Sequence, residues 1–357
     1  MQKENISILT TADEFYSSLF DDLRKVEESA LIQMYCIEEG GIGDKLKQIL
    51  IKLARKKVAV QLMYDSFGSF FTSARYFDEM ESAGVSIIEY HPVNPRKTRA
   101  PFSVHRLFRR NHRKLIILDK STYYIGGMNI GERFLDWEDI MIRGRGAPVN
   151  DLISSFQKVW EKKPVKPKTR FKEMAKGAIH VCDGRPKYQN YPIKRLYISA
   201  IKKSRSRVWI AQAYFIPRRK LIKAMIHASK RGVDVRVIVP DSSDVKLVDL
   251  ASWPALKRLL NNGVTIRRHI GPMLHSKFAV IDDHWLTVGT ANLDSMSLYW
   301  NLELNLVIRD PVIVEKMARI FTRYEQTCRT MDRNEPVERP LLTQLLGRLL
   351  YYYSWVL

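Results

Sequence analysis

The feature that most constrains this chain is that it is written twice. Gln33-Met-Tyr-Cys-Ile37 recurs as Gln212-Ala-Tyr-Phe-Ile216, an offset of 179 residues, and Ala83-Gly84-Val85 recurs as Asn262-Gly263-Val264 at the same offset. Between these marks each half carries apolar residues at helical spacing: Leu46, Ile49, Leu50 and Leu53, then Leu221, Ile222 and Met225. An alternating apolar run follows each time, Val58, Val60, Leu62 against Val233, Val235, Val237, Val239, which reads as a strand. Strand, helix, strand, helix, strand in both halves predicts two similar α/β layers with helices packed on a sheet. Thr11 and Glu14, ahead of Phe15, Leu19 and Leu23, predict a capping box at the start of the first helix.

At 357 residues the chain has room for two domains of roughly 150 residues each. The expected division is 1–160 for the first domain, 161–177 for a basic Pro/Lys linker, 178–335 for the second domain and 336–357 for a tail. A surface loop is the alternative for the linker. In the tail, Leu341, Leu342, Leu345, Leu346, Leu349 and Leu350 form a helical stripe that runs into Tyr351-Tyr-Tyr-Ser-Trp355. Such a stripe suits an amphipathic helix in a membrane interface, or alternatively one docked on the protein's own core. The N-terminus lacks the apolar stretch of a signal peptide, and no run approaches the roughly 20 apolar residues of a membrane span, so any membrane contact is expected to be peripheral.

The halves also share a polar constellation. His112-Arg-Lys114 leads through four apolar residues to Asp119, then Gly126 and Asn129. His275-Ser-Lys277 leads in the same way to Asp282, then Gly289 and Asn292. With only eight His in the chain, and Lys and Asp together at the right places after about one His in 250, two complete copies are not coincidence. Side chains two apart share a face of a strand, so each His and Lys project together. Asp119 and Asp282 fall near the turn into the next strand and read mainly as structural anchors.

On these residues the chain resembles the phospholipase D superfamily, named for its duplicated HKD motif, and within it the bacterial cardiolipin synthases. Supporting stretches are Asn111-His-Arg-Lys-Leu, Gly126-Gly-Met-Asn-Ile-Gly131, Ala213-Tyr-Phe-Ile-Pro217, Arg231-Gly-Val-Asp-Val-Arg236, Gly289-Thr-Ala-Asn-Leu-Asp294 and Asn301-Leu-Glu303. The resemblance implies two phospholipase D-like α/β domains in pseudo-twofold arrangement with one active site at their interface. Many relatives carry Ser after the motif glycine, where this chain has Gly127 and Thr290; a Gly-Gly pair is common among cardiolipin synthases. Large members begin with two membrane-spanning helices, so this sequence looks like a short, peripheral form.

The resemblance makes His112, Lys114, Asp119, His275, Lys277 and Asp282 the catalytic set. Lys114, Lys277, Asn129 and Asn292 would bind the substrate phosphate, supplying donors without a metal. No H-E-x-x-H, phosphate-loop or clustered acidic motif is present, so neither a metal nor another cofactor is expected. Imidazole can serve as nucleophile or acid: His112 would attack phosphorus while His275 protonates the departing alcohol, although the symmetry of the motif leaves the roles exchangeable. An orienting carboxylate is expected behind each His. Glu303 lies 28 residues after the second His, and Asp139 lies 27 after the first with a one-residue uncertainty.

Lys and Arg exceed Asp and Glu by 59 to 38, a formal charge of +21 that asks for an anionic partner. The implied partners are an anionic phospholipid membrane and phosphatidylglycerol, at the cytoplasmic face of a bacterial membrane, with no nucleic acid. Arg96, Lys97, Arg99, Arg106, Arg109 and Arg110 could meet lipid phosphates there or form an ordinary solvated face. The rival readings are a phospholipase D that hydrolyses lipids to phosphatidic acid, an HKD nuclease, and a non-catalytic binding protein.

Overall fold

A computed structural model describes residues 5–93, 109–162, 179–185, 191–332, 347 and 349–352. The chain divides into two compact units, Met1–Lys168 with Asn301–Leu304, and Thr169–Trp300 with Asn305–Leu357. The expected linker (161–177) falls almost wholly outside the described residues.

Unit 1 runs β1 (Asn5–Leu9), α1 (Ala12–Arg24), β2 (Ser29–Met34), α2 (Gly41–Arg55), β3 (Ala59–Asp65), α3 (Ala74–Ser82), β4 (Ser86–Tyr90), β5 (Leu115–Leu118), β6 (Thr122–Gly126), β7 (Met141–Arg145) and α4 (Val149–Trp160). Its sheet has the order β1-β7-β6-β5-β2-β3-β4, with β2, β3 and β4 parallel and the other neighbours antiparallel. The capping box forms: Thr11 Oγ1 accepts from Glu14 N at 3.2 Å and the Glu14 carboxylate accepts from Thr11 N at 3.3 Å. Phe15, Leu19 and Leu23 of α1 and Leu46, Leu50 and Leu53 of α2 pack with Ile32, Leu62 and Ile116 in one core.

Unit 2 runs β8 (Ile179–Gly184), α5 (Pro192–Lys203), β9 (Arg207–Gln212), α6 (Arg219–Lys230), β10 (Asp234–Pro240), α7 (Lys246–Leu260), β11 (Thr265–His269), β12 (Lys277–Ile281), β13 (Trp285–Gly289), β14 (Glu303–Ile308), α8 (Pro311–Gln326) and β15 (Cys328–Thr330). Read from the β8 edge, its sheet is β8-β14-β13-β12-β9-β10-β11-β15. That is the order of unit 1 strand for strand with β15 added, so the repeated sequence encodes a repeated topology.

In both units the motif strand starts at or just after the lysine and ends at the aspartate: β5 begins at Leu115 and β12 at Lys277. Asp119 turns the chain into β6 with φ 46°, and Asp282 turns it into β13 with φ 50°, left-handed values that Asp tolerates better than most residues. The Asp119 carboxylate accepts from the backbone N–H groups of Glu27, Glu28 and Ser29, which lead into β2. Asp282 accepts from the N–H groups of Arg205, Ser206 and Arg207 and from Ser206 Oγ, which lead into β9. Seven residues of extended chain span about 23 Å, so neither aspartate can reach the chemistry of its histidine. Each carboxylate gathers the backbone N–H groups of a neighbouring strand, the anchoring contact that the offset led one to expect.

The described part of the tail lies against unit 2. Tyr351 packs on that unit's core and its hydroxyl donates to Pro217 O at 3.1 Å, and a Cβ at Gly347 would collide with Leu250 O of α7. Leu349 and Tyr352 are exposed. Leu341, Leu342, Leu345, Leu346 and Trp355 lie outside the described residues. Among the described residues no helix is long and apolar enough to cross a membrane.

Burial works to raise the carboxyls of Asp119 and Asp282, but the backbone donors outweigh it and hold both below the usual carboxylate value. The stability they contribute is therefore complete above the ordinary pKa of about 3.9 and is lost as pH falls through the lower folded value. Asp282→Ala should cost about 1–3 kcal/mol in a urea titration at pH 7, less at pH 3, while the molecules that remain folded keep their kcat. A variant with normal stability and no activity would place the carboxylate in the chemistry after all.

Candidate active site

In unit 1 the residues before β5 stand at the end of the sheet where the parallel strands β2 and β3 finish, since Leu115 pairs with Gln33. His112 and Lys114 are both buried, and Lys114 Nζ donates to the backbone carbonyl of His112 at 3.0 Å. Asn111 forms an isolated parallel bridge with Leu302: Leu302 N donates to Arg110 O at 2.9 Å and His112 N to Leu302 O at 3.0 Å. This bridge delivers Glu303, whose buried carboxylate lies 3.0 Å from His112 Nδ1. The spacing attached Glu303 to the second histidine; the structure places it on the first. Sequence offset could not show this, because residues 301–304 group with unit 1 while the chain on either side belongs to unit 2.

The spacing attached Asp139 to the first histidine, whose Nδ1 meets Glu303 instead. Gly126 pairs with Met141 and Gly289 with Asn305, so Asp139 and Glu303 are equivalent, each two residues before the partner of the motif glycine. Asp139 is buried, and a Cβ on Gly127 would collide with its carboxylate. A Cβ on Gly126 would collide with the Ile140 carbonyl, so both glycines stand where a side chain would force a neighbour to shift.

The repeated Gln-x-Tyr segments, which sequence reasoning used only to find the duplication, build the site's walls. The Tyr35 ring meets the His112 ring edge-on at 4.8 Å, and the Lys114 ammonium lies 5.0 Å from the Tyr35 ring centroid. In unit 2 the Tyr214 ring stands edge-on to His275 at 6.4 Å. Downstream of these tyrosines, Ile37 bridges Ile130 and Phe215 bridges Leu293, which fixes the residues immediately before them, Asn129 and Asn292. Both asparagines are buried, and their side-chain oxygens find no partner among the described residues. The two amides thus occupy the same place in the two copies of the repeat.

In unit 2 His275 and Lys277 are also buried, and Lys277 Nζ donates to the His275 carbonyl. Gln212 Oε1 accepts from Leu293 N at 3.1 Å, and Asn305 Oδ1 from Ala291 N at 3.2 Å, so the loop carrying Asn292 is held on both sides. Among the described residues no group of three or more His, Cys, Asp or Glu side chains could hold a metal ion. Of the basic cluster, Arg96, Lys97, Arg99 and Arg106 lie outside the described residues and Arg109 is exposed. Arg110 is not a surface cation: it is buried against Asp65, with Nη2 to Oδ1 at 2.6 Å.

A family model described as cardiolipin synthase, PLD-like domain, matches residues 19–160 and 197–324. The chain belongs to this family. A cardiolipin synthase of Geobacillus kaustophilus is 31% identical over 96% of this chain and 71% of its own length. Cardiolipin synthase B of Salmonella typhi is 30% identical over 85% of this chain and 76% of its own. The crystal structure of phosphatidylserine synthase from Haemophilus influenzae Rd KW20 matches with a TM-score of 0.77 at 14% identity, covering 99% of this chain and 95% of that one, which supports the fold. The family matches fall on both copies of the repeat, so both phospholipase D-like domains expected from the sequence are present.

Glu303→Gln keeps the shape of the carboxylate but removes its charge and lets the imidazole change tautomer. It should lower kcat by at least about 10²-fold with KM little changed. Tyr35→Phe, which keeps the ring against His112, should stay within about threefold of wild type, whereas Tyr35→Ala should fall well below it. Steady-state assays on phosphatidylglycerol in mixed micelles would separate these cases.

Proposed function

We propose that this protein is a cardiolipin synthase that transfers a phosphatidyl group from phosphatidylglycerol to the alcohol of a second phospholipid and releases glycerol. The observation that carries the reading is the paired His-Lys-Asn set, one in each unit, with a buried carboxylate on Nδ1 of His112, in a chain of this family. With Nδ1–H donated to Glu303, the lone pair of His112 sits on Nε2, which suits this histidine to be the nucleophile. Nε2 attacks phosphorus, and the bond to the glycerol oxygen breaks as His275 gives that oxygen its proton. His275 then takes a proton from the incoming alcohol, whose oxygen displaces His112 and leaves both imidazoles as they began. Lys114 and Lys277 offset the phosphate charge, and Asn129 and Asn292 present amide donors to its oxygens. Asp119 and Asp282 hold the motif strands in place, and Asp139, at the register position of Glu303, is a second orienting acid.

The partners under this reading are phosphatidylglycerol and an anionic bilayer, met peripherally at the cytoplasmic face of a bacterial membrane. Support comes from the +21 charge and from relatives named as cardiolipin synthases.

Incubation with phosphatidylglycerol vesicles, read by lipid mass spectrometry, tests the proposal. Cardiolipin and free glycerol should form with wild type and vanish with His112→Ala. Phosphatidic acid alone would make water the acceptor and the protein a phospholipase. Lipid left untouched, even with phosphatidylethanolamine added, would sink the reading in favour of a nuclease. An activated phosphodiester, whose leaving group needs no proton, should leave a covalent adduct on His112 in His275→Ala; an adduct on His275 in His112→Ala would reverse the roles.

A further inference from the structure

Beyond β3 the chain makes a turn, Ser66 to Ser73, that inverts the usual partition of side chains. Its polar residues Asp65, Ser66, Ser69 and Thr72 are buried, while Phe67, Phe70 and Phe71 are 53%, 37% and 94% exposed. This exposure is built in. Asp65 Oδ1 accepts from Phe67 N at 2.9 Å and Gly68 N at 3.1 Å, Ser69 Oγ accepts from Ile37 N at 3.0 Å, and Thr72 Oγ1 donates to Ile37 O. A Cβ on Gly68 would collide with Tyr35 O, so the turn is pressed onto the backbone of the tyrosine that meets His112. Asp65 also takes Asn111 N at 2.7 Å, one residue from His112. A locked turn that leaves Phe71 almost wholly exposed and Phe67 half exposed, with Phe70 packed edge-on to Phe71, suits an apolar environment that can receive it.

We propose that Phe67, Phe70 and Phe71 form a wedge that enters the boundary between headgroups and acyl chains of an anionic bilayer and seats the His112 end of unit 1 on the membrane. The inference rests on the phospholipid-transfer reading and names the surface by which that site meets its substrate. Charge complementarity points to this occupant. Arg109 is exposed beside the site, in a chain of formal charge +21. The sequence between Val93 and Arg110 carries Arg96, Lys97, Arg99, Arg106 and Arg109. Its two ends are tied to the base of the turn, Val93 N donating to Ser66 Oγ at 3.0 Å and Arg110 to Asp65. Aromatic insertion together with nearby basic charge is the pairing that holds peripheral proteins on anionic lipid.

The test is sedimentation with vesicles of phosphatidylethanolamine and phosphatidylglycerol, comparing wild type, Phe71→Ser, Phe71→Leu and the triple serine variant at 67, 70 and 71. Turnover is read in parallel on vesicles and on a short-chain phosphatidylglycerol that stays monomeric. Phe71→Ser should melt with wild type, partition about tenfold more weakly, and turn over monomeric lipid within about twofold of wild type, with Phe71→Leu retaining most of the binding. Unchanged partition in the triple variant would overturn the proposal. So would a loss on monomeric lipid as large as that on vesicles, which would put the ring in the reacting site. A wild-type dimer that Phe71→Ser splits, with vesicle binding intact, would assign the face to a second copy and equally overturn it. If wild type converts no lipid while the partition difference persists, the transfer reading fails and the membrane surface stands.

Discussion

The first half of the reaction machinery hangs on a short stretch of backbone, Asn301 to Leu304, which groups with unit 1 although it is encoded late in the chain. Two hydrogen bonds across the Asn111–Leu302 bridge set the position of Glu303, and the Glu303 carboxylate lies against His112 Nδ1. A carboxylate and an imidazole buried together are tolerable only as a pair, because either alone would be a polar group taken from water with nothing in return. On the other side Asp65 binds Arg110 and Asn111, so the strand carrying His112 is gripped from both directions. A ring gripped in this way keeps one orientation, which is what catalysis by positioning asks of a group.

The motif that names the superfamily divides into two kinds of work along one strand. His and Lys stand at its start and Asp at its end, with four apolar residues between Lys and Asp in each copy. Asp119 and Asp282 collect the N–H groups leading into β2 and β9, the strands that neighbour β5 and β12. Each aspartate therefore fixes the register of the strand that ends in the Gln-x-Tyr segment, and the tyrosine returns to meet the histidine. The two aspartates thus recur at the same place in each copy because the same strand pairing is closed through them.

The repeat, the order of elements and the His-Lys pairs were legible in the sequence, since periodicity and spacing act over a few residues and survive into the fold. The first and second sheets repeat each other strand for strand because the same local patterns recur at a constant offset. What stayed hidden was long-range. Nothing in the text says that Glu303 belongs with His112, 191 residues away, rather than with His275. Tyr35 and Tyr214 were visible as a repeat but not as ring partners of the histidines, a contact created by the return of β5 and β12 beside β2 and β9. Arg110 read as one more basic surface residue, because its buried partner Asp65 lies 45 positions upstream.

The turn after β3 shows why burial, more than composition, identifies a working surface. Three phenylalanines in six residues would read as core in a linear pattern, and the neighbouring serines and aspartate as solvent. The hydrogen bonds reverse that assignment: each buried polar group is satisfied by the backbone it holds, so the rings are left outside with no lower-energy place within the turn. Collapse of the rings onto unit 1 would break the bonds from Asp65 and Ser69, and each such loss costs about 1–3 kcal/mol. Exposing one apolar ring costs a comparable amount. The same carboxylate, Asp65, anchors both this turn and the residue before His112, so the surface that faces outward and the segment that carries His112 are fixed by one buried side chain.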